Sequence, residues 1–232
     1  MQHSLSIIKI ASLLFLSLLT ALPAHTASLS LADLRPGDLQ ITEYLANPVV
    51  VADSANEYFE LFNQREQAVN LNGLVVRDEG SNEFTVIDLV IPGRGFSVLS
   101  NGDGSQLGIR PDYQYGSAMA LTNSSDEILL LTPGAQLLAA LRFSDGDFFG
   151  AGVAHELIQG DRSLSEALGP SLGGDYQAAS ATLAEGNLGS PGRAGNTRFS
   201  APVVPVPAAL WLFGSGLAAL AGLRRHNLRL KR

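Results

Sequence analysis

The chain of 232 residues contains no cysteine, and this absence excludes disulfide bonds, thiolate metal sites and cysteine nucleophiles. Its two lysines, Lys9 and Lys231, lie close to the two ends. Of its four histidines, His155 is the one that lies well inside the chain. The central part therefore cannot build histidine-rich zinc sites, lysine Schiff bases or phosphate loops that need a lysine.

Charge is distributed unevenly along the chain. The whole sequence has a formal net charge of −7, from 22 acidic and 15 basic residues. Residues 28–205 contain all 22 acidic residues but 9 arginines as their basic residues, so their net charge is −13. Because binding to nucleic acid needs a basic face, we exclude nucleic acid as a partner.

The first 27 residues have the layout of a secretory signal peptide. A short polar start ends in Lys9, and an apolar stretch of 13 residues then runs from position 10 to position 22. Cleavage is expected after Ala27 or after Thr26. The alternative is an uncleaved membrane anchor, but a span needs about 20 apolar residues. We therefore predict that the protein is exported.

A second apolar segment lies near the C-terminus. Residues 208–223 carry no charge. Five basic residues follow directly: Arg224, Arg225, Arg229, Lys231 and Arg232. This pattern predicts a transmembrane helix at about 207–223, with the basic tail retained in the cytoplasm. The segment is either a permanent single-span anchor or a sorting signal that is later cut.

The residues around this segment resemble the PEP-CTERM sorting tail of Gram-negative bacteria. Pro205-Val206-Pro207, the apolar run and Arg224-Arg225 occur in the order of that tail, with Val206 where the name-giving pattern has a glutamate. The resemblance covers residues 203–232. It implies insertion in the inner membrane, processing by an exosortase at the Pro-Val-Pro motif, and then release or attachment at the cell surface. It also implies a link to exopolysaccharide and biofilm.

The segment between the two ends is predicted to be all-β. Short apolar or alternating runs are separated by turn dipeptides such as Asn72-Gly73 and Pro92-Gly93, and no stretch before residue 160 has a helical period. The predicted strands cover residues 39–45, 58–62, 74–77, 84–87, 96–99, 128–131 and 137–143. This spacing predicts an antiparallel sandwich over residues 28–160. Residues 161–202 are expected to form an irregular closing segment and a linker.

The same runs resemble, in order, the motifs of lamin-tail domains. The opening motif spans 37–48, the second strand 56–63, a later hairpin 91–99 and a strand pair 121–131. Gly189-Ser190-Pro191-Gly192-Arg193-Ala194-Gly195-Asn196 is similar to the closing motif of bacterial copies. The resemblance implies an immunoglobulin-like antiparallel β-sandwich, in agreement with the strand pattern.

Three aspartates on tight turns are weak calcium candidates. Asp103 lies in Asn101-Gly102-Asp103-Gly104, and Asp145 and Asp147 lie in Asp145-Gly146-Asp147. Their carboxylates could present oxygens to calcium, but neither turn reproduces an EF-hand loop. Because aspartate also favours turns for conformational reasons, we favour a structural role and expect no cofactor.

Other residues raise the question of catalysis. Strand alternation places Glu43 on the face of Leu39, Ile41 and Leu45, so we expect it to be partly buried. A buried carboxylate needs either a charge partner, for which Arg77 and Arg142 are the candidates, or several hydrogen bonds. We favour a structural role in which backbone N–H groups or water satisfy the carboxylate. His155 could act as the base of a catalytic triad, but no nucleophile elbow accompanies it.

Phe148 and Phe149 could form an aromatic platform for sugar, and core packing is the interpretation we favour. The sequence predicts a non-enzymatic structural or binding module directed to the cell surface. The alternative is a small secreted hydrolase that uses carboxylates on polysaccharide.

Overall fold

The computed structural model describes residues 27–160 and 171–199. The predicted signal peptide up to residue 26 lies outside these ranges, as does the whole predicted sorting tail with Pro205, Val206, Pro207, Arg224 and Arg225. Among the residues that the structure describes, no helix has the length and apolar character needed to span a bilayer.

Short β-strands dominate the described residues, and the helical turns among them are three-residue 3₁₀ turns. In chain order the strands are β1 (Leu39–Leu45), β2 (Tyr58–Asn63), β3 (Val69–Asn70), β4 (Val75–Arg77), β5 (Glu83–Thr85), β6 (Val90–Ile91), β7 (Phe96–Ser100), β8 (Tyr113–Gln114), β9 (Asp126–Leu131), β10 (Leu137–Phe143), β11 (His155–Leu157), β12 (Ser171–Leu172) and β13 (Tyr176–Ala178). The prediction that the segment between the two ends is all-β is confirmed for the residues that the structure describes. Each of the seven predicted strands is present.

The strands form two large sheets and one small one. The six-stranded sheet has the order β13-β11-β1-β2-β7-β8, and the five-stranded sheet has the order β12-β10-β9-β4-β5. Strands β3 and β6 pair separately. Pairing is antiparallel except between β7 and β8 and between β10 and β12. The two large sheets are consistent with an immunoglobulin-like sandwich.

The main core lies between the two large sheets. Ile41 and Leu61 contribute from the six-stranded sheet, and Val76, Leu130 and Leu141 contribute from the five-stranded sheet. These side chains lie on alternate positions of their strands, as expected for strands with one face on a shared core.

A second, smaller core lies on the opposite face of the six-stranded sheet. It contains buried Leu45, Tyr58 and Val98 together with Leu107, and half-buried Leu183 packs against it. This face is therefore also covered, and its cover includes residues from the second described range. The closing segment within 171–199 also contributes strands to both large sheets, because β12 pairs with β10 and β13 pairs with β11.

A bulge in β1 decides which side chains reach the smaller core. Ile41 pairs with Leu61, but Glu43, two residues later, pairs with Glu60, which is one residue from Leu61. Thr42 is the extra residue, and such an insertion breaks the period of two.

The expectation that Glu43 shares a face with Leu39 and Ile41 is therefore wrong, whereas its shared face with Leu45 is found. Tyr44 joins the main core together with Leu39 and Ile41, whereas Leu45 belongs to the smaller core. Glu43 accepts a hydrogen bond from Tyr58, another residue of the smaller core, and so faces away from the main core. Strand alternation alone could not reveal this, since a bulge has no distinct signature in this sequence.

Truncation of a main-core leucine should test the packing between the sheets. Leu130 is fully buried, whereas Leu137 on the neighbouring strand is 38% exposed. We expect Leu130→Ala to lower the free energy of unfolding by about 2–5 kcal/mol because it removes buried contacts and leaves a cavity. The matched Leu137→Ala variant should lose less than about 1 kcal/mol. Urea denaturation measures both, and equal losses would contradict the assigned core.

Candidate functional site

Three glutamates lie side by side across the outer face of the six-stranded sheet. Glu43 on β1 is the cross-strand partner of Glu60 on β2 and of Glu156 on β11. Each is 1% exposed. Like charges directly opposite each other destabilise a sheet, and burial removes the water that would solvate them. This Glu row (Glu43, Glu60 and Glu156) therefore depends on hydrogen-bond donors from elsewhere in the chain.

The donors come mainly from the closing loop, which we define as residues 187–197. The backbone N–H of Ser190 donates to Glu43, with distances of 2.8 Å to Oε1 and 3.1 Å to Oε2. The Tyr58 hydroxyl donates to the same carboxyl from within the sheet. Hydrogen bonds of this kind offset the cost of burying a polar group.

The carboxyls of Glu60 and Glu156 bind later residues of the closing loop. The backbone N–H of Gly192 donates to Glu60 Oε2 at 2.6 Å, and that of Asn196 donates to Glu156 Oε2 at 2.8 Å. The Thr42 hydroxyl, placed by the bulge, donates to Glu60 Oε1 at 2.6 Å. Three residues of one loop thus satisfy the three members of the row.

Glycines in the closing motif allow this close approach. A Cβ atom at Gly189 would lie 2.2 Å from the Tyr58 hydroxyl, and one at Gly195 would lie 2.0 Å from Ser190 Oγ and 2.3 Å from Glu156 Oε1. Gly195 also has a φ of +51°, a left-handed conformation that favours glycine. The glycine spacing of the motif therefore has a physical reason in the burial of the Glu row.

Burial raises the pKa values of Glu43 and Glu60. It raises the pKa of Glu43 to about 7, and hydrogen bonds from Tyr58 and Ser190 oppose this shift. Burial, with Glu43 as neighbour, raises the pKa of Glu60 well above its usual range. Burial also raises the pKa of Tyr58, which keeps its hydroxyl protonated as a donor.

The geometry around Ser190 also requires an additional proton. Ser190 Oγ lies 2.8 Å from Glu43 Oε2 and 2.6 Å from Glu156 Oε1. A hydroxyl has one proton to donate, so in one of the two contacts the carboxyl must be the donor. When both contacts are hydrogen bonds, the raised pKa of Glu43, about 7, favours Glu43 as the protonated donor to Ser190 Oγ.

Of the two partners considered for Glu43, an arginine is not found in the described ranges. Arg142 forms an ion pair with Glu79 at the surface, and Arg77 lies on β4 of the other sheet. Hydrogen bonds from backbone N–H groups, the other partner considered, are found instead. Backbone N–H groups and hydroxyls surround the carboxyl because the closing loop covers this face of the sheet.

The sequence does not predict that Glu60 and Glu156 lie beside Glu43 in one row. Each lies within a short apolar strand, Glu60 in Tyr58–Asn63 and Glu156 in His155–Leu157. A glutamate in a strand that is buried on both faces is the signal that could have identified them. Their alignment across three strands depends on register, which the sequence does not state.

The calcium candidates lie at two separate 3₁₀ turns: Asp103 precedes the turn Ser105–Leu107, and Asp145 and Asp147 lie in the turn Asp145–Asp147. Asp103 Oδ1 accepts hydrogen bonds from the N–H and hydroxyl of Ser105 at 2.9 and 2.7 Å. Asp147 Oδ2 accepts from the N–H and hydroxyl of Ser144 at 2.8 and 2.9 Å, and Asp145 is exposed in the same turn. In the parts of the chain that the structure describes, no group of three or more metal-ligating residues could hold an ion.

His155 lies in an aromatic environment. Its ring stacks on Tyr44 with centroids 4.5 Å apart, and Phe148 and Phe149 lie 5.3 and 4.9 Å away. Nε2 lies 3.2 Å from the Asp147 carbonyl oxygen, and burial lowers the pKa of the ring to about 4. The imidazole is thus neutral at pH 7 and packs as a core residue. Phe148 also packs against the core, whereas Phe149 is 44% exposed.

An open groove of about 510 Å³ runs beside the closing loop. Val98 and Ile109 line it on the side of β7, and Leu183, Pro191 and Gly192 line it on the opposite side. Gly192 is the residue that donates to Glu60. The Glu row therefore fixes one wall of the groove from behind.

Residues 34–145 match the family model of the Lamin Tail Domain. The resemblance of this part of the chain to lamin-tail domains is thereby confirmed, and the matched range ends before β11 and the closing loop. Neither the curated proteins nor the solved structures contain a match to the chain.

The raised pKa of Glu43 predicts a pH dependence of stability. An unfolded glutamate titrates near 4.5, whereas the pKa of Glu43 in the folded protein is about 7. Between these values the folded protein holds a proton that the unfolded chain has lost, so the free energy of unfolding falls as the pH rises. The expected fall from this group is about 3 kcal/mol and is complete above pH 7. Urea denaturation from pH 4 to pH 8 measures it.

The Glu43→Gln variant should have a flatter pH profile than the wild type over this interval. The exposed Glu66→Gln variant is the matched control and should keep the wild-type slope. His155 contributes a slope of opposite sign in all three proteins, and this contribution cancels in the comparison. Parallel profiles for Glu43→Gln and the wild type would contradict the proposed protonation.

Proposed function

We propose that this protein is an exported, cell-surface-directed structural or binding module without enzymatic activity. The observation that supports this proposal is that the carboxyls of the Glu row bind the closing loop. Glu43 and Glu60 are 1% exposed and bind backbone N–H groups of the closing loop. A glycosidase needs two carboxyl groups that reach opposite sides of a substrate bond. These two carboxyls instead hold a segment of their own chain.

The groove beside the closing loop is the proposed binding surface. Its lining is mostly polar and includes Arg110, Asp112 and Arg193, and apolar Ile109 and Leu183 also line it. We propose extracellular polysaccharide as the ligand. The resemblance of residues 203–232 to a PEP-CTERM tail supports this, since such tails are linked to exopolysaccharide and biofilm.

The route to the cell surface is part of the same proposal. The signal-peptide pattern of residues 1–27 supports export, and the tail pattern supports transient insertion in the inner membrane of a Gram-negative bacterium. An exosortase would act at Pro205-Val206-Pro207, ahead of Arg224-Arg225. The protein would then be attached to the cell surface or released.

The intact mass of the protein from its native host tests this route. We expect a mass that lacks the residues before about position 28 and those after about position 206, because both ends are removed. A mass that retains Arg232 would support a permanent anchor instead. A mass that retains Met1 would contradict cleavage of the signal peptide.

A hydrolase screen tests the absence of activity. The alternative function is a carboxylate-based polysaccharide hydrolase. It is supported by the pKa of Glu43, which is about 7 and suits a general acid. We expect no release of reducing ends from neutral or acidic polysaccharides. Hydrolysis that disappears in Glu43→Gln or Glu60→Gln but persists in the exposed control Glu66→Gln would overturn the proposal. Thermal denaturation of each variant would show that it is folded.

A further inference from the structure

Two arginines lie at the groove without a carboxylate partner in the described ranges. Arg110 precedes β8, and Arg193 belongs to the closing loop. Both line the groove and are exposed, and the ion pairs in the described part of the chain involve other arginines. In a segment with a net charge of −13, two such arginines at one groove are complementary to an anion.

We infer that the groove binds a carboxylated polysaccharide, with Arg110 and Arg193 as the groups that pair with its carboxylates. This inference rests on the proposed binding function and names the chemical class of the ligand. Arginine suits this role because its planar guanidinium can bind a carboxylate through two parallel hydrogen bonds.

Other residues of the groove can contact the hydroxyls and the apolar face of a uronic acid unit. Thr182 carries a hydroxyl, and Asp112 Oδ2 already accepts the Val98 N–H at 2.9 Å, leaving Oδ1 as an acceptor for a sugar hydroxyl. Ile109 and Leu183 provide apolar surface for the C–H face of a sugar ring. The groove thus offers a partner for the carboxylate, the hydroxyls and the apolar face.

The acidic residues near the groove do not cancel this attraction. Glu60 lies behind the wall formed by Gly192, and burial raises its pKa well above the usual range, which favours the neutral form. Charges farther away on the acidic surface are screened over about 8–10 Å at physiological ionic strength. The groove lining therefore carries the positive charges of Arg110 and Arg193 against the negative charge of Asp112.

The backbone around the groove favours a polysaccharide over an extended acidic peptide. A peptide that binds as an added strand needs free backbone groups at a sheet edge. Strand β7 already pairs with β2 and β8, and the N–H and C=O of Val98 bond to Asp112. Side chains rather than free backbone groups therefore line this part of the groove.

Binding of polygalacturonate, its fully methyl-esterified form and poly-glutamate to the purified protein tests the inference. Methyl esterification keeps the sugar backbone but removes the charge. We expect isothermal titration calorimetry to detect polygalacturonate binding that weakens with rising NaCl and to detect much weaker binding of the ester. Arg110→Gln and Arg193→Gln should each lower the affinity about tenfold. Arg77→Gln, with the same charge change in the other sheet, should lower it less than about twofold.

The outcomes separate this inference from the proposed function. Equal binding of the charged and esterified polymers, unaffected by the groove variants, would overturn the inference and leave the binding function in place. Failure to bind any polysaccharide would overturn both. Poly-glutamate binding of equal strength and arginine dependence would contradict the choice of a polysaccharide. Loss of binding on addition of EDTA would contradict direct arginine contact, because calcium would then bridge the two acidic partners.

Discussion

The burial of three neighbouring glutamates is the constraint on which the outer half of this structure depends. Side by side on β11, β1 and β2, these carboxyls would repel one another if all were charged. The structure accommodates them by covering them with a loop from far along the chain, whose N–H groups point at the carboxyl oxygens. A short network of this kind is stable when each member has a partner and costly when one is lost.

The bulge at Thr42 connects this network to the fold. Without the extra residue, Glu43 would point toward the main core between the sheets, where the closing loop could not reach it. With it, Tyr44 fills the main core and Glu43 faces the loop. A local irregularity of one strand thus directs an aromatic side chain to one face of the sheet and a carboxyl to the other.

The network also links the fold to the proposed function. The loop that covers the Glu row carries Pro191, Gly192 and Arg193 to the wall of the groove. The position of Arg193 therefore depends on carboxyls that lie behind it and never contact a ligand. In this view the glutamates of the Glu row hold Arg193 in position, and the exposed arginines bind the carboxylates of the ligand. The family match over residues 34–145 covers the strands up to β10, whereas the closing loop lies beyond it.

Sequence alone determined the all-β character of the central segment and the strands β1, β2, β4, β5, β7, β9 and β10, because alternation and turn dipeptides are local signals. It missed other short strands, such as β11 and β13, because segments of two or three residues show no period of their own. Export and sorting remain predictions from the two ends. Tertiary structure alone decided that Glu60 and Glu156 flank Glu43, that the bulge turns Glu43 away from the main core, and that backbone N–H groups rather than arginine satisfy it. The physical reason is that strand register and loop docking are long-range properties, fixed by packing between segments more than one hundred residues apart.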